Sequence, residues 1–333
     1  MKSRREFVLD ASLGAIGVGF SPESSELESK GKRNTGFVSH DIYQEHVISP
    51  GHPESPERLR RILVELKTRG LEQELLSIKR VEDPKTNIEG HHKENHVSAI
   101  RNIPTTGAVA EAAVGGALAA VKAVAEGRVN NAFCAVRPPG HHANNTGQEE
   151  GFCFYSNAAI AAKYAQQVHG YQKILIVDWD YHHGNATQNA FYDDPSVLFF
   201  STHDWQAYPG TGDPSLGGTG EAKGLNINVH LDCGSGDADM LASWERQLLP
   251  AATKFRPDFV LISAGFDSRK DDLLGCFEVT DNAFRRMTGI VMDIADDFCD
   301  GRVVSILEGG YNVDGTALAA AAHVETLINQ TRA

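Results

Sequence analysis

Short apolar runs recur along the chain, and each stops abruptly at polar or charged residues. The clearest is Lys173-Ile174-Leu175-Ile176-Val177-Asp178-Trp179-Asp180-Tyr181-His182-His183-Gly184-Asn185. An uninterrupted, β-branched apolar stretch of this kind predicts a strand buried on both faces, as in a parallel sheet covered by helices. Similar runs predict strands over Gly36–His40, Ala132–Val136, Val197–Ser201, Leu225–Val229, Phe259–Ser263 and Val303–Leu307. Helical patterns fill the gaps. One starts at Pro56, where a proline suits the first turn and Leu59, Ile62, Leu63 and Leu66 make an apolar stripe. Others cover Ala108–Glu126, Asn157–His169, Asn185–Tyr192, Ala238–Lys254, Asp281–Cys299 and a terminal stretch from about Gly315. Strands alternating with helices predict an α/β fold in a single domain, with a mostly parallel multi-stranded sheet and helices on both faces.

The polar clusters fall into register with these strands. Gly140-His141-His142, Asp178-x-Asp180-x-His182, Ala264-Gly265-Phe266-Asp267 and Glu308-Gly309-Gly310-Tyr311 each follow a predicted strand directly. In open α/β sheets, sites form at the C-terminal strand ends, so all four clusters are expected to converge. Strand periodicity puts Asp178, Asp180 and His182 on one face, where two carboxylates and an imidazole need a cation or a proton to coexist. Asp180, His182 and Asp267 form the three-ligand oxygen and nitrogen set of a catalytic Zn²⁺ site with an open position for water; Fe²⁺ is the alternative metal. His141 and His142 can move protons, each oriented by an acceptor near the central strand, and Tyr311 can hold an oxyanion. The chemistry expected is hydrolysis of a carbonyl bond, an amide above all. The glycine- and proline-rich stretch Thr202–Gly224 is too long for an idle connection. His92 and His96 are expected at a solvated helix start, and Asp271 and Asp272 on a solvated loop face. Arg58 suits either a helix-start salt bridge or the floor of the site.

Composition narrows the picture further. The chain has 333 residues, 41% of them hydrophobic, and no polar linker interrupts its middle, which favours one large domain. A net charge of -13 argues against non-specific nucleic-acid binding and is compatible with a cationic substrate. Five cysteines, odd in number and without a CxxC pair, argue against a disulfide framework and a thiolate zinc cluster. Residues 1–20, with Arg4-Arg5 ahead of a weakly apolar stretch, resemble a twin-arginine export signal, which predicts a periplasmic protein rather than a cytoplasmic one. That stretch is too short to be a stable membrane anchor. Residues 21–34 read as a flexible spacer and 35–333 as the catalytic domain.

Six motifs in order then carry a resemblance. Pro138-Pro139-Gly140-His141-His142, Gly151-Phe152-Cys153, Asp178 through Asn185, Pro209-Gly210-Thr211-Gly212, Ala264 through Asp267 and Glu308 through Asn312 resemble the zinc-dependent histone deacetylases of the arginase-deacetylase superfamily, over about residues 36–330. The resemblance implies Asp180, His182 and Asp267 as zinc ligands and His141 and His142 as general base and acid. It implies Asp178 bonded to His141 and Asn185 to His142, with Tyr311 as the catalytic tyrosine. Asn185 and Glu308 look like the class II branch, and a neutral Asn185 should leave His142 less basic than an Asp would. Gly151, Phe152, Tyr208 and Leu274 correspond to the walls and rim of an acyl-lysine tunnel. A structural K⁺ is implied against Asp178, Asp180, His182 and Ser201. Two departures bear on substrate. Residues 97–108 lack the Asp with which peptide deacetylases clamp the substrate backbone, and Leu274 stands where polyamine-selective relatives carry Glu. The expected substrate is therefore an acyl-lysine or related acylated amine, with an acetylpolyamine or other small amide as the alternative. A non-catalytic metal-holding protein is the rival from another class, and Tyr311 with both histidines argues against it.

Overall fold

The computed structural model describes residues 32–79 and 83–330. The twin-arginine-like segment 1–20 and spacer residues 21–31 lie outside the described residues. The end of the predicted spacer belongs to the domain: the Arg33 backbone N–H donates to the Ile328 carbonyl at 3.0 Å, and its guanidinium pairs with Asp296 at 2.5 Å.

Strands β1 (Thr35–Val38) and β2 (Leu75–Ser77) flank helix α1 (Pro56–Thr68) in the chain. Then come α2 (Lys85–His91), α3 (Glu94–Arg101), α4 (Thr106–Ala125), β3 (Asn131–Cys134), α5 (Asn157–His169), β4 (Ile174–Asp178), α6 (Asn185–Phe191), β5 (Val197–His203) and β6 (Asn226–His230). The remainder is α7 (Asp237–Ser243), α8 (Leu249–Phe255), β7 (Phe259–Ala264), α9 (Asp281–Cys299), β8 (Val303–Leu307) and α10 (Val313–Asn329). Among the described residues the eight strands form one sheet in the order β2-β1-β3-β8-β7-β4-β5-β6, and each of these pairings is parallel. Helices α4 and α5 cover one face, while α1, α9 and α10 cover the other. The sandwiched strands need apolar residues at every position, which is why Ile174–Asp178 and Val303–Leu307 are buried throughout. Helix α4 is long and apolar enough to cross a membrane by composition, yet its apolar residues pack inside this fold against β1, β3 and β8.

Some expectations change. The predicted helix Ala238–Lys254 is two helices joined by a π-turn over Trp244–Leu248. Pro250 lacks the N–H that a continuous α-helix would use, and the wide turn absorbs the missing bond. Residues 85–101 form two short helices rather than a solvated start, and His92 and His96 are buried. Both side chains brace backbone: His92 Nε2 accepts from the Ser156 N–H at 3.0 Å, and His96 Nδ1 accepts from the Gly147 N–H at 3.0 Å. The cysteine expectation is also corrected. Cys233 and Cys276 form a disulfide across 43 residues, with Cα atoms 5.2 Å apart, because the turn after β6 meets the loop before α9. Only tertiary approach brings that pair together, so no local spacing announces it. The three other cysteines are free and buried.

Candidate active site

Strands β3, β4, β7 and β8 end side by side, and each delivers one of the polar clusters. Asp178 closes β4 and is fully buried; its carboxylate faces His141 Nδ1 at 3.0 Å and accepts from the Asp180 N–H at 3.1 Å. The next imidazole, His142, sits with its ring centroid 4.0 Å from that of His141, and its Nδ1 lies 2.8 Å from Asn185 Oδ1. The two environments push the rings apart in basicity. Burial opposes a charge on His141, but the carboxylates of Asp180 and Asp178 outweigh it and raise its pKa well above the ordinary value. Burial, followed by the neighbouring His141 and His182, pushes His142 well below the ordinary value.

Asp180, His182 and Asp267 place one ligand atom each within 4.8 Å of one another. His182 Nδ1 lies 3.2 Å from Asp180 Oδ1 and 3.0 Å from Asp267 Oδ2. The outer lone pairs are held by backbone: Gly309 N–H donates to Asp180 and Tyr181 N–H to Asp267, both at 2.8 Å. Burial, followed by the adjacent Asp180 carboxylate, pushes Asp267 up to about 7 against the opposing pull of His182. A Cβ on Gly309 would come within 2.2 Å of Asp267 Oδ2, and one on Gly265 within 2.0 Å of Asp180 Oδ2. Both glycines are therefore the space in which the carboxylates turn toward a common point, and the donor set fits a small divalent cation.

Above this point opens a cavity of about 730 Å³ lined by His142, Phe152, His182, Tyr208, Leu274 and Tyr311, with Gln148, Glu149, Glu150 and Gly151 along one side. Gly151 has φ of 53°, and a Cβ there would strike His142 and Tyr208, so glycine lets the wall close on the imidazole. Phe152 stands edge-on to Tyr311 at 5.7 Å, and Tyr208 edge-on to His142 at 5.0 Å. Tyr208 and Leu274 remain 49% and 41% exposed, which places both at the mouth. Burial, followed by the Asp267 carboxylate, raises Tyr311 well above the usual phenol value, so its hydroxyl stays a hydrogen-bond donor. Ser201 lies opposite Asp178 in the β4–β5 register, but its hydroxyl is 2.8 Å from His203 Nδ1.

Three supports brace the site, of which sequence reasoning anticipated Arg58 and missed the contacts of Glu308 and Asp272. The Glu308 carboxylate accepts from Gly140 N–H at 2.6 Å and His141 N–H at 3.2 Å, tying the end of β8 to the histidine pair; burial pushes its pKa to about 7. Arg58 is both things anticipated for it, since it pairs with Glu54 at 3.1 Å and donates to the Gly310 carbonyl beneath Tyr311 at 2.5 Å. The acid expected on a solvated face, Asp272, instead accepts from the Tyr311 N–H at 2.7 Å. Of the three, only Arg58 leaves a sequence trace, its i,i+4 spacing from Glu54.

Comparison with known proteins agrees with this geometry. The histone deacetylase domain family matches residues 52–327. The chain is 36% identical to a probable deacetylase of Archaeoglobus fulgidus, covering 84% of this chain and 82% of that protein. It is 38% identical to histone deacetylase 15 of Arabidopsis thaliana, over 84% of this chain and 53% of the plant protein. With the human polyamine deacetylase HDAC10 it shares 37% identity over 83% of this chain and 44% of that one. The chain thus spans about half the length of these plant and human relatives. The crystal structure of the HDA15 HD domain superposes with a TM-score of 0.81 at 36% identity, covering 88% of this chain and 90% of that one. Fold, strand-end motifs and relatives agree that the chain belongs to the histone deacetylase family.

Proposed function

We propose that this protein is a zinc-dependent amide hydrolase that removes an acetyl or similar acyl group from an acyl-lysine or related acylated amine. The observation that carries this reading is the pair of adjacent imidazoles, one against the Asp178 carboxylate and one against the Asn185 amide, beside three convergent metal-type donors at the foot of one cavity that also exposes a phenol. Asp180, His182 and Asp267 would hold the metal. Zn²⁺ bound there supplies Lewis-acid polarisation of the acyl carbonyl and acidifies water, and Fe²⁺ suits the same donors. A K⁺ against Asp178, Asp180, His182 and Ser201 would offset the buried acids.

His142 reaches the cavity and is held neutral, so it takes a proton from the attacking water at the nitrogen not bonded to Asn185. His141, charged against Asp178, stabilises negative charge as it develops. The Tyr311 hydroxyl donates to the carbonyl oxygen at the same stage. His142 then returns its proton to the leaving amine nitrogen. A second substrate reading, an acetylpolyamine, is favoured by Glu149 and Glu150 on the cavity side and opposed by apolar Leu274 at the mouth. Residues 1–20 would direct the enzyme out of the cytoplasm.

The test is incubation of the metal-loaded protein with acetyl-lysine peptides, free acetyl-lysine and acetylated polyamines, with and without a chelator, followed by mass spectrometry. Chelator-sensitive acetate release is expected, and the responding amine separates the two substrate readings. Release unaffected by chelator would overturn the metal-dependent mechanism.

A further inference from the structure

One carboxylate gathers backbone N–H groups from two different loops. Asp272 Oδ1 accepts from Leu274 at 2.9 Å and Gly275 at 3.3 Å, while Oδ2 accepts from Tyr311 at 2.7 Å and Asn312 at 3.0 Å. The first pair lies in the loop after β7, which contains Asp267 and carries the cavity mouth. The second lies between β8 and α10, where the Gly309 carbonyl accepts from the Phe266 N–H at 2.9 Å and the Asn312 carbonyl from the Thr316 N–H at 2.7 Å, while the Tyr311 and Asn312 N–H groups both go to Asp272. The Asn312 side-chain amide donates to the Asp271 carbonyl at 2.9 Å and doubles the joint. Gly310, immediately before Tyr311, has φ of 118°, a conformation that favours glycine and that flanking contacts must hold in place. Those contacts come from opposite sides: Arg58 bonds the Gly310 carbonyl and lies 5.0 Å over the Tyr311 ring, and Asp272 holds the two amides that follow.

We propose that Asp272 is the positioning residue for Tyr311, fixing the direction of its phenol by tying its backbone to the loop that carries Asp267 and the cavity mouth. The proposal rests on the reading of Tyr311 as the oxyanion donor. Asp272 touches no reacting atom. It acts by keeping the tyrosine backbone where the hydroxyl meets the carbonyl oxygen, and a donor displaced by even a small distance loses most of its value in the transition state.

Asp272→Asn is the direct probe, because it keeps the shape but turns one acceptor oxygen into an NH₂ that confronts backbone N–H donors. The metal-loaded wild type, Asp272→Asn, Tyr311→Phe and the double variant are compared on an acylated amine that the wild type hydrolyses. Asp272→Asn is expected to lower kcat by roughly 10- to 100-fold, with KM changed far less and one equivalent of metal retained. In the Tyr311→Phe background the same change should cost nothing further. Multiplying losses, a defect confined to KM, or loss of metal would each overturn the proposal while leaving Tyr311 as oxyanion donor intact. Turnover unchanged by Tyr311→Phe would remove the parent reading and this one with it. Amide hydrogen exchange in the wild-type protein needs no variant to fold: the Tyr311 and Asn312 amides are expected to be protected, and exchange at the rate of free loop amides overturns the proposal.

Discussion

His141 and His142 are neighbours in the chain with nearly the same burial, yet one is held charged and the other neutral. Neighbouring charge makes most of the difference: the carboxylates of Asp180 and Asp178 raise His141, whereas burial, His141 and His182 lower His142, whose Nδ1 partner is only an amide. Asn185→Asp therefore has a signed consequence. A carboxylate favours the imidazolium form, so the pKa of His142 rises and a higher pH is needed to keep it neutral. The acid limb of kcat/KM should move upward, as read from pH–rate profiles of the two proteins; a limb that stays in place would show that His142 is not the base. Residues of this kind were legible in the sequence because their chemistry is in the side chain and their strand-end motifs are distinctive. Asp272 was not. Its partners are backbone amides of a remote loop, and backbone amides leave no mark on residue identity.

Strand ends and glycines together bring Asp180, His182 and Asp267 to one point, which no single element could provide. Gly309→Ala would push a methyl group into both carboxylates, since its Cβ falls 2.2 Å from Asp267 Oδ2 and 2.7 Å from Asp180 Oδ2. We expect the variant to fold and to bind markedly less metal, measured by elemental analysis after dialysis; full occupancy would mean that the carboxylates can rotate away at little cost. Long buried strands and helices were readable because each carries its own hydrophobic period, as Val303–Leu307, Asn157–His169 and Asp281–Cys299 do. The short elements β2, α2 and α3 carry too little pattern to be read alone. Helices α2 and α3 are secured by tertiary packing of Ile88, Val97 and Ile100 against Leu118, Phe154 and Ile160. Likewise the split between α7 and α8 follows from one proline whose effect depends on the turn around it.

For the molecule as a whole, a fully buried charge network lies behind the site. Glu54 pairs with Arg137 at 2.5 Å and Arg58 at 3.1 Å, and all three are inaccessible to solvent. Burial disfavours the Glu54 carboxylate, but the Arg137 and Arg58 guanidinium groups outweigh it and hold its pKa low. A depressed native pKa means that this stability is present at neutral pH and is lost only as acid carries the solution below the ordinary carboxylate range. Glu54→Gln leaves two buried guanidinium groups unneutralised and should cost about 3–5 kcal/mol, seen as a lower Tm and denaturant midpoint. A midpoint shift under about 1 kcal/mol would mean that the two guanidinium groups find other compensation. The single-domain parallel architecture was legible from alternating elements, but the order of strands was not, because register between distant strands is a property of the closed sheet. That order has a kinetic meaning. The last strand made, β8, lies between β3 and β7. Until β8 is made, β3 and β7 lack their shared partner, and unpaired apolar edges of that kind invite association with other chains. The strand that joins β3 to β7 also leads directly into Tyr311, so the chain gains the phenol proposed as its oxyanion donor and its closed sheet together.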